Sequence, residues 1–299
     1  MFSALFSHGF FSSDTVHTAL IVGGGAAIVC GITGVFALIR GHAFAGHALS
    51  DISSAGGAAS FLLGINALAG FIIMALAGAA GIELSATRRS RERSLATGIV
   101  LSAGLGFSAL FLYFAVKQHN SSGATLSVMF GSIWTLPASI IPWILATGAA
   151  VLILLALIWR PVLLCAIDPE LATIRGVAVR RVGIMQLAAL ALAVALSSMT
   201  VGAILSTALL TGPAAIALKF ARSAVSALII AAVTGLLSVW FGVWLAWESF
   251  YWTDGRGWPV SFFIVGIIFV VWAVSGILTS LISRENQLSG RLFRKKQHV

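Results

Sequence analysis

Apolar residues make up 59% of this 299-residue chain, and charged residues make up only 9%. A water-soluble domain carries roughly 25% charged residues, so the composition excludes a protein whose surface is mainly covered by water. The net charge of +9 falls in short clusters between long apolar runs, without the basic and aromatic surface of a nucleic-acid-binding domain. Composition and charge therefore predict a polytopic membrane protein and no nucleic-acid partner.

Nine segments have the length and apolar character of membrane spans, which need about 20 mostly apolar residues each. In chain order they cover residues 18–39, 43–63, 67–84, 95–116, 138–159, 182–198, 201–219, 224–247 and 258–282. Polar residues interrupt the second segment, so we expect about eight or nine spans in an all-α transmembrane bundle. Residues 125–136 are too few to cross a bilayer and predict a half-helix or a surface segment.

The positions of the positive charges predict the orientation, because Lys and Arg collect on the cytoplasmic side of membrane proteins. Nine spans with an external N-terminus leave only Lys117 and Arg256 outside, and place every other Lys and Arg in the cytoplasm. We therefore expect an external N-terminal segment over residues 1–17, a single transmembrane domain over 18–282, and a basic cytoplasmic tail over 283–299.

The second span carries two ionisable residues, His47 and Asp51, four positions apart. This spacing places them on one face of a helix. Ionisable residues inside a membrane are costly and mark an ion or substrate pathway, and imidazole together with carboxylate suits a divalent cation such as zinc or manganese. A His–Asp contact that only fixes helix packing is the alternative interpretation.

Residues 168–176 carry the local signals of a short helix outside the membrane. Asp168 is a favourable N-cap, Pro169 suits the first helical position, and Glu170 suits the first turn. Arg175 and Gly176 are typical of a helix C-terminus. Two turns are marginally stable alone, so we expect this helix to dock on another protein. A helix lying on lipid headgroups is the alternative.

Two further features concern the apolar spans. Pro213, after Gly212, predicts a kink in the seventh span, because proline removes a helical hydrogen bond. The glycine-rich segment 104–109 resembles a dinucleotide-binding fingerprint, but no strand precedes it, so we interpret it as helix packing. The sequence contains no phosphate-binding loop of the form G-x-x-x-x-G-K-[ST], so any energy source lies in another subunit or in an ion gradient.

Three motifs, in matching order, resemble those of the permeases of bacterial zinc-, manganese- and iron-type ABC importers. The family's second-span G-D-x-x-x-H-A is matched by residues 46–51 with the order exchanged, His47 before Asp51. Its cytoplasmic S-P-[DE]-x-A helix is matched by residues 168–172, and its I-P-A-A kink by residues 212–215, where glycine replaces isoleucine. The resemblance extends over residues 15–282.

The resemblance implies a type II ABC importer permease fold, similar to that of vitamin B12 importers. It implies a homodimer in the bacterial inner membrane, cytoplasmic ATP-binding subunits, and an external metal-binding protein. It also implies zinc, manganese or iron as the transported ion, no covalently bound cofactor, and no catalytic residue. The residues that it assigns are His47 and Asp51 for the metal, Asp168, Pro169, Glu170, Leu171, Ala172, Arg175 and Gly176 for coupling to the ATPase, and Gly212 and Pro213 for the helix kink.

The exchanged order of His47 and Asp51 leaves the choice of metal open. One chain supplies only these two ligands, and the homodimer that the resemblance implies would bring two copies of each together around a two-fold axis. Two other transport functions also remain open: a permease for a metal chelate or another small solute, and an ion-coupled secondary transporter. A membrane scaffold without transport would leave the cost of the two intramembrane ionisable residues unexplained.

Overall fold

The computed structural model describes residues 9–85, 90–119, 122–252 and 257–296, and it contains only helices, turns and loops within those ranges. The all-α prediction is confirmed. The α-helices are, in chain order, α1 (Asp14–Ile39), α2 (Ala43–Leu63), α3 (Ala67–Ser85), α4 (Ser90–His119), α5 (Ser122–Phe130), α6 (Ile141–Ile167), α7 (Pro169–Ile174), α8 (Val179–Thr200), α9 (Ala203–Phe220), α10 (Ala224–Trp252) and α11 (Val260–Lys296).

Eight helices in the described part of the chain are long and apolar enough to cross a membrane. The helix α2 is not among them, although its 21 residues make it about 30 Å long. Its serines, glycines and one aspartate make it too polar to face lipid, and polar groups are stable in a membrane only where protein covers them. Every residue from 45 to 58 is buried, with the single exception of His47.

The enclosure of α2 depends on glycine. The helices α3, α4, α8 and α9 surround it, and several of these crossings have no room for a side chain. A β-carbon at Gly56 would overlap the carbonyl oxygen of Gly70 in α3, and one at Gly104 in α4 would lie 2.5 Å from the backbone nitrogen of Ile52. Gly104 thus packs against α2, in agreement with our interpretation of segment 104–109.

The predicted half-helix in segment 125–136 is present as α5, which ends at Phe130. The chain then turns through Gly131, whose φ is 86°, and contacts the α8–α9 turn at Gly202, whose φ is 98°. Both glycines have a left-handed backbone conformation, which costs little only without a β-carbon. The Ser261 hydroxyl donates hydrogen bonds to the carbonyls of Phe130 and Val201. This cluster holds the first turn of α9 in place.

The first and last helices extend beyond the membrane spans that hydropathy predicts. The first helix begins at Asp14, four residues earlier than the predicted span, and α11 continues to Lys296, through most of the predicted tail. Polar and basic residues do not stop a helix by themselves, because Arg, Lys, Glu and Gln are all good helix formers. Hydropathy predicts which residues can face lipid, and it does not predict where the helix ends.

Candidate functional site

The two ionisable residues of α2 lie side by side, as their spacing predicts. His47 Nε2 is 3.8 Å from Asp51 Oδ2, and the two side chains differ in exposure, at 44% for His47 and 9% for Asp51. The Asp51 carboxylate is therefore enclosed by the bundle, whereas the His47 imidazole is partly exposed at the surface of the bundle. The pair therefore extends from the buried interior of the bundle to its accessible surface.

The small residue before His47 allows α9 to approach the pair. A β-carbon at Gly46 would lie 2.5 Å from Cδ2 of Leu210, so any larger side chain would displace the Leu210 side chain. In a separate contact, Gly104 allows α4 to lie against the backbone of Asp51 and Ile52. Two glycines from different helices thus fix the position of the backbone that carries His47 and Asp51.

The other ring nitrogen of His47 has a partner in α9. His47 Nδ1 lies 3.0 Å from the Thr207 hydroxyl oxygen, and the two residues are 160 positions apart in the chain. Sequence analysis did not identify Thr207, because no spacing rule connects it to His47. The sequence signal was a pair of adjacent hydroxyl residues, Ser206 and Thr207, within a mainly apolar span.

A cluster of buried serines connects α2, α8 and α9 beside the pair. The Ser50 hydroxyl donates to the Ala203 carbonyl at 2.8 Å and lies within hydrogen-bond distance of the hydroxyls of Ser198 and Ser206. The sequence does not predict this cluster, because its members lie far apart in the chain. It satisfies the polar side chain of Ser50 inside the bundle and fixes the register of α9 on α2, one residue before Thr207.

The described part of one chain does not bring together enough side chains to enclose a metal ion. In the part of the chain that the structure describes, no three His, Cys, Asp or Glu side chains come together to hold a metal ion. A closed zinc site takes four ligands, whereas His47 and Asp51 supply two. Further ligands would have to come from another molecule.

The short helix predicted at residues 168–176 forms as α7, and its local interactions are those expected. Asp168 Oδ1 accepts hydrogen bonds from the backbone nitrogens of Glu170 at 2.9 Å and Leu171 at 3.0 Å. Pro169 occupies the first helical position, Arg175 is the C-cap, and Gly176 has a φ of 78°. Ala172 is completely buried and holds α7 against the bundle.

The remaining predicted residues, Gly212 and Pro213, lie in the interior of α9, which continues through both of them. A β-carbon at Gly212 would overlap the side chain of Ile268 in α11, so this glycine is a contact point between helices. The kink at Pro213 stays a prediction. Pro213 lies beside Gly235 of α10, so these contacts of Gly212 and Pro213 are with helices other than α2.

These features define a class of protein. A bundle of apolar helices encloses one polar helix, this polar helix carries a half-exposed ionisable pair, and a short capped helix packs on the bundle, as in a membrane transport protein. Residues 12–276 match the model of the ABC 3 transport family, and the chain belongs to this family. It is a membrane permease subunit, a transport component rather than an enzyme.

Individual relatives support the same assignment. The chain is 29% identical to the manganese import system permease protein ScaB of Streptococcus parasanguinis, over 80% of this chain and 82% of that protein. It is also 29% identical to the zinc transport system membrane protein TroC of Treponema pallidum, over 64% of this chain and 67% of that protein. The structure of PsaBC from Streptococcus pneumoniae in complex with Fab is similar, with a TM-score of 0.77, 25% identity and coverage of 92% of this chain and 95% of that chain. The resemblance to metal-importer permeases is confirmed.

Proposed function

We propose that this chain carries a divalent metal ion, manganese or zinc, into the cytoplasm as the permease of an ABC importer. The observation that carries the proposal is the 3.8 Å separation of His47 Nε2 and Asp51 Oδ2. Zinc binds imidazole nitrogen and carboxylate oxygen at about 2.0–2.2 Å in a tetrahedral arrangement, which places two ligand atoms about 3.4 Å apart, and a small rotation of the two side chains closes the difference. His47 and Asp51 can therefore share an ion without a change in the backbone.

The ligand types are compatible with both metals. Imidazole is a good ligand for zinc, and carboxylate is a good ligand for manganese, so the pair alone does not select one of them. Among the relatives, ScaB is named for manganese and TroC for zinc. Iron, which the motif resemblance also implies, stays a prediction.

A second copy of the chain would complete the site. The open side of His47, on a helix that is otherwise buried from residue 45 to residue 58, supports an arrangement in which two copies face a common pathway. Two copies would bring together two imidazoles and two carboxylates. Two carboxylates balance the charge of one divalent ion, which lowers the cost of holding it away from water.

The energy for import would come from a separate ATP-hydrolysing subunit, as membership of an ABC family implies. The helix α7 is our proposed docking site for that subunit. Three large apolar side chains, Ile167, Leu171 and Ile174, are exposed at and beside this helix. An exposed apolar patch next to charged residues is typical of a protein–protein contact, and the charges here are Glu170 and Arg175.

The proposed orientation places the N-terminus outside the bacterial inner membrane and the C-terminus in the cytoplasm. It is supported by the distribution of positive charge along the sequence. It also requires α2 to cross the membrane as the second of nine spans. In this arrangement residues 18–282 form one transmembrane domain, α7 lies in the cytoplasm, and an external metal-binding protein delivers the ion.

Uptake of manganese and zinc by cells that express the complete transporter tests the proposal. We expect His47→Ala and Asp51→Ala each to reduce uptake at least about tenfold, because each removes one of two ligand types from the pathway. Matched controls are His17→Ala and Asp14→Ala, which change the same residue types in the first turn of α1. Both controls should transport normally.

Three results would overturn the proposal. Normal uptake by the His47→Ala and Asp51→Ala variants at normal protein levels would show that the pair does not contact the ion. Uptake that continues with a catalytically inactive ATPase would indicate an ion-coupled carrier. Uptake of a metal chelate, with no uptake of the free ions, would indicate the alternative substrate class.

A further inference from the structure

The Thr207 hydroxyl is placed at the nitrogen of His47 that points away from Asp51. The imidazole ring has two nitrogens: Nε2 is directed to Asp51 Oδ2 at 3.8 Å, and Nδ1 lies 3.0 Å from Thr207 Oγ1. Thr207 thus contacts one nitrogen of the ring, and the other nitrogen faces Asp51.

We propose that Thr207 is a positioning residue for metal transport, which orients His47 and selects the tautomer that can bind the ion. This inference rests on the proposed function, because it assigns Thr207 a role only if His47 contacts the metal. It adds a residue from α9 to a site that the sequence places entirely in α2.

The chemistry of imidazole gives the reason. A neutral imidazole carries one proton, and only the nitrogen without the proton has a lone pair for a metal ion. If Nε2 binds the ion, the proton lies on Nδ1, where the Thr207 oxygen can accept its hydrogen bond. Groups that hold the second nitrogen of a metal-binding histidine in this way fix its tautomer and its ring orientation.

The packing around Thr207 holds its side chain next to the His47 ring. The Ser50 hydroxyl bonds to the Ala203 carbonyl and contacts Ser206, which fixes the first turn of α9 on α2. Gly46 allows the next turn of α9, at Leu210, to come close. Threonine is branched at its β-carbon and has few accessible side-chain rotamers, so its hydroxyl group is held in a defined direction.

A second threonine on the same helix provides a matched control. Thr211 lies one turn beyond Thr207 and is also half-buried, but its hydroxyl donates to the Thr207 carbonyl of its own helix at 2.8 Å. Replacement of either threonine by valine removes a hydroxyl and keeps the shape of the side chain. Only the change at position 207 removes a contact with His47.

The test compares Thr207→Val, Thr207→Ser and Thr211→Val in the complete transporter, with its ATPase and its metal-binding protein. We expect Thr207→Val to raise the KM for manganese or zinc uptake about tenfold, in the range found for groups that support a metal ligand, with a smaller change in maximal rate. Thr207→Ser keeps the hydroxyl and should restore most of the affinity. Thr211→Val should leave KM unchanged.

A spectroscopic measurement reports the tautomer directly. In protein with ¹⁵N-labelled histidine, the His47 signals are assigned by their absence from His47→Ala. We expect the proton of the zinc-bound ring to lie on Nδ1 in the unmodified protein, with a hydrogen-bonded signal that is lost in Thr207→Val. A zinc-bound ring with its proton on Nε2 would overturn the inference.

The uptake results separate the two proposals. If His47→Ala abolishes uptake while Thr207→Val has a normal KM, the role of Thr207 is wrong and the proposed function stands. If Thr207→Ser is as impaired as Thr207→Val, the shape of the side chain matters rather than the hydroxyl, and the inference also fails. If His47→Ala transports normally, the proposed function itself is wrong.

Discussion

Gly104 of α4 lies directly against the backbone of Ile52 in α2: a β-carbon at position 104 would be 2.5 Å from the Ile52 nitrogen. The residue before Ile52 is Asp51, so this contact supports the backbone of the proposed metal ligand from behind. Backbone atoms cannot move aside as the end of a flexible side chain can. The position therefore requires glycine.

We expect Gly104→Ala to lower the free energy of unfolding by about 1–3 kcal/mol, the usual cost of adding a methyl group to a packed interior. It should also reduce metal uptake, because α4 and α2 must separate beside Asp51. Thermal unfolding of the purified protein in detergent and uptake in cells measure the two effects.

Gly106→Ala is the matched control for Gly104→Ala. A β-carbon at Gly106 would meet nothing within 4 Å, and both substitutions share the same gain in helix propensity, about 1 kcal/mol. The control should therefore be neutral or slightly stabilising. Equal thermal stability for the two variants would contradict the packing that we describe.

A second prediction concerns the N-cap of α7. Asp168→Ala removes the oxygen that accepts hydrogen bonds from Glu170 and Leu171, and the loss of such a cap costs about 1 kcal/mol of helix stability. We expect weaker binding of the ATPase subunit, by about fivefold for each 1 kcal/mol. A binding titration between permease and ATPase in lipid nanodiscs measures this change.

Asp168→Asn distinguishes the effect of the N-cap on ATPase binding from the effect of the charge, because asparagine keeps a side-chain oxygen and is an equally good N-cap. It should bind the ATPase nearly as well as the unmodified protein. An equal loss of binding in Asp168→Asn and Asp168→Ala would assign the effect to the charge of Asp168 rather than to the cap. Normal binding in both variants would mean that the ATPase does not dock on α7.

The third prediction concerns the orientation of the chain. Single cysteines at Lys117 and at Arg175, both exposed positions, should react differently with a thiol reagent that does not cross membranes. We expect Lys117→Cys to react in intact cells, and Arg175→Cys to react only after the membrane is opened. The unmodified protein is the control for background labelling, since its own cysteines, Cys30 and Cys165, are buried. Labelling of Arg175→Cys in intact cells would show that the orientation is opposite to the proposed one.

Local signals in the sequence were sufficient to predict the position and the caps of α7. Its N-cap, first-turn proline and C-terminal glycine act on neighbouring backbone groups, so their effects can be read without knowledge of the rest of the fold. The same holds for the shared face of His47 and Asp51, which depends only on the helical repeat. In the described part of the chain, hydropathy alone also located the eight helices that are long and apolar enough to cross a membrane.

Other features depended on distant parts of the chain. The serine cluster and the contact between His47 and Thr207 join residues more than 140 positions apart, and no local pattern predicts such pairs. The polar helix α2 is a further example. Its sequence predicts a weak span, and only the packing of four other helices around it explains why a helix with this composition can lie within the bundle.

The sequence by itself determined that this chain is a membrane protein, where its apolar helices lie, and which ionisable residues share a helical face. These properties follow from composition and from the geometry of a single helix. Only the tertiary structure decided that Asp51 is buried while His47 is open, and that Thr207 holds the other ring nitrogen. Burial and contacts between helices depend on how the whole chain packs, and at these positions glycine permits the close approach that brings the groups together.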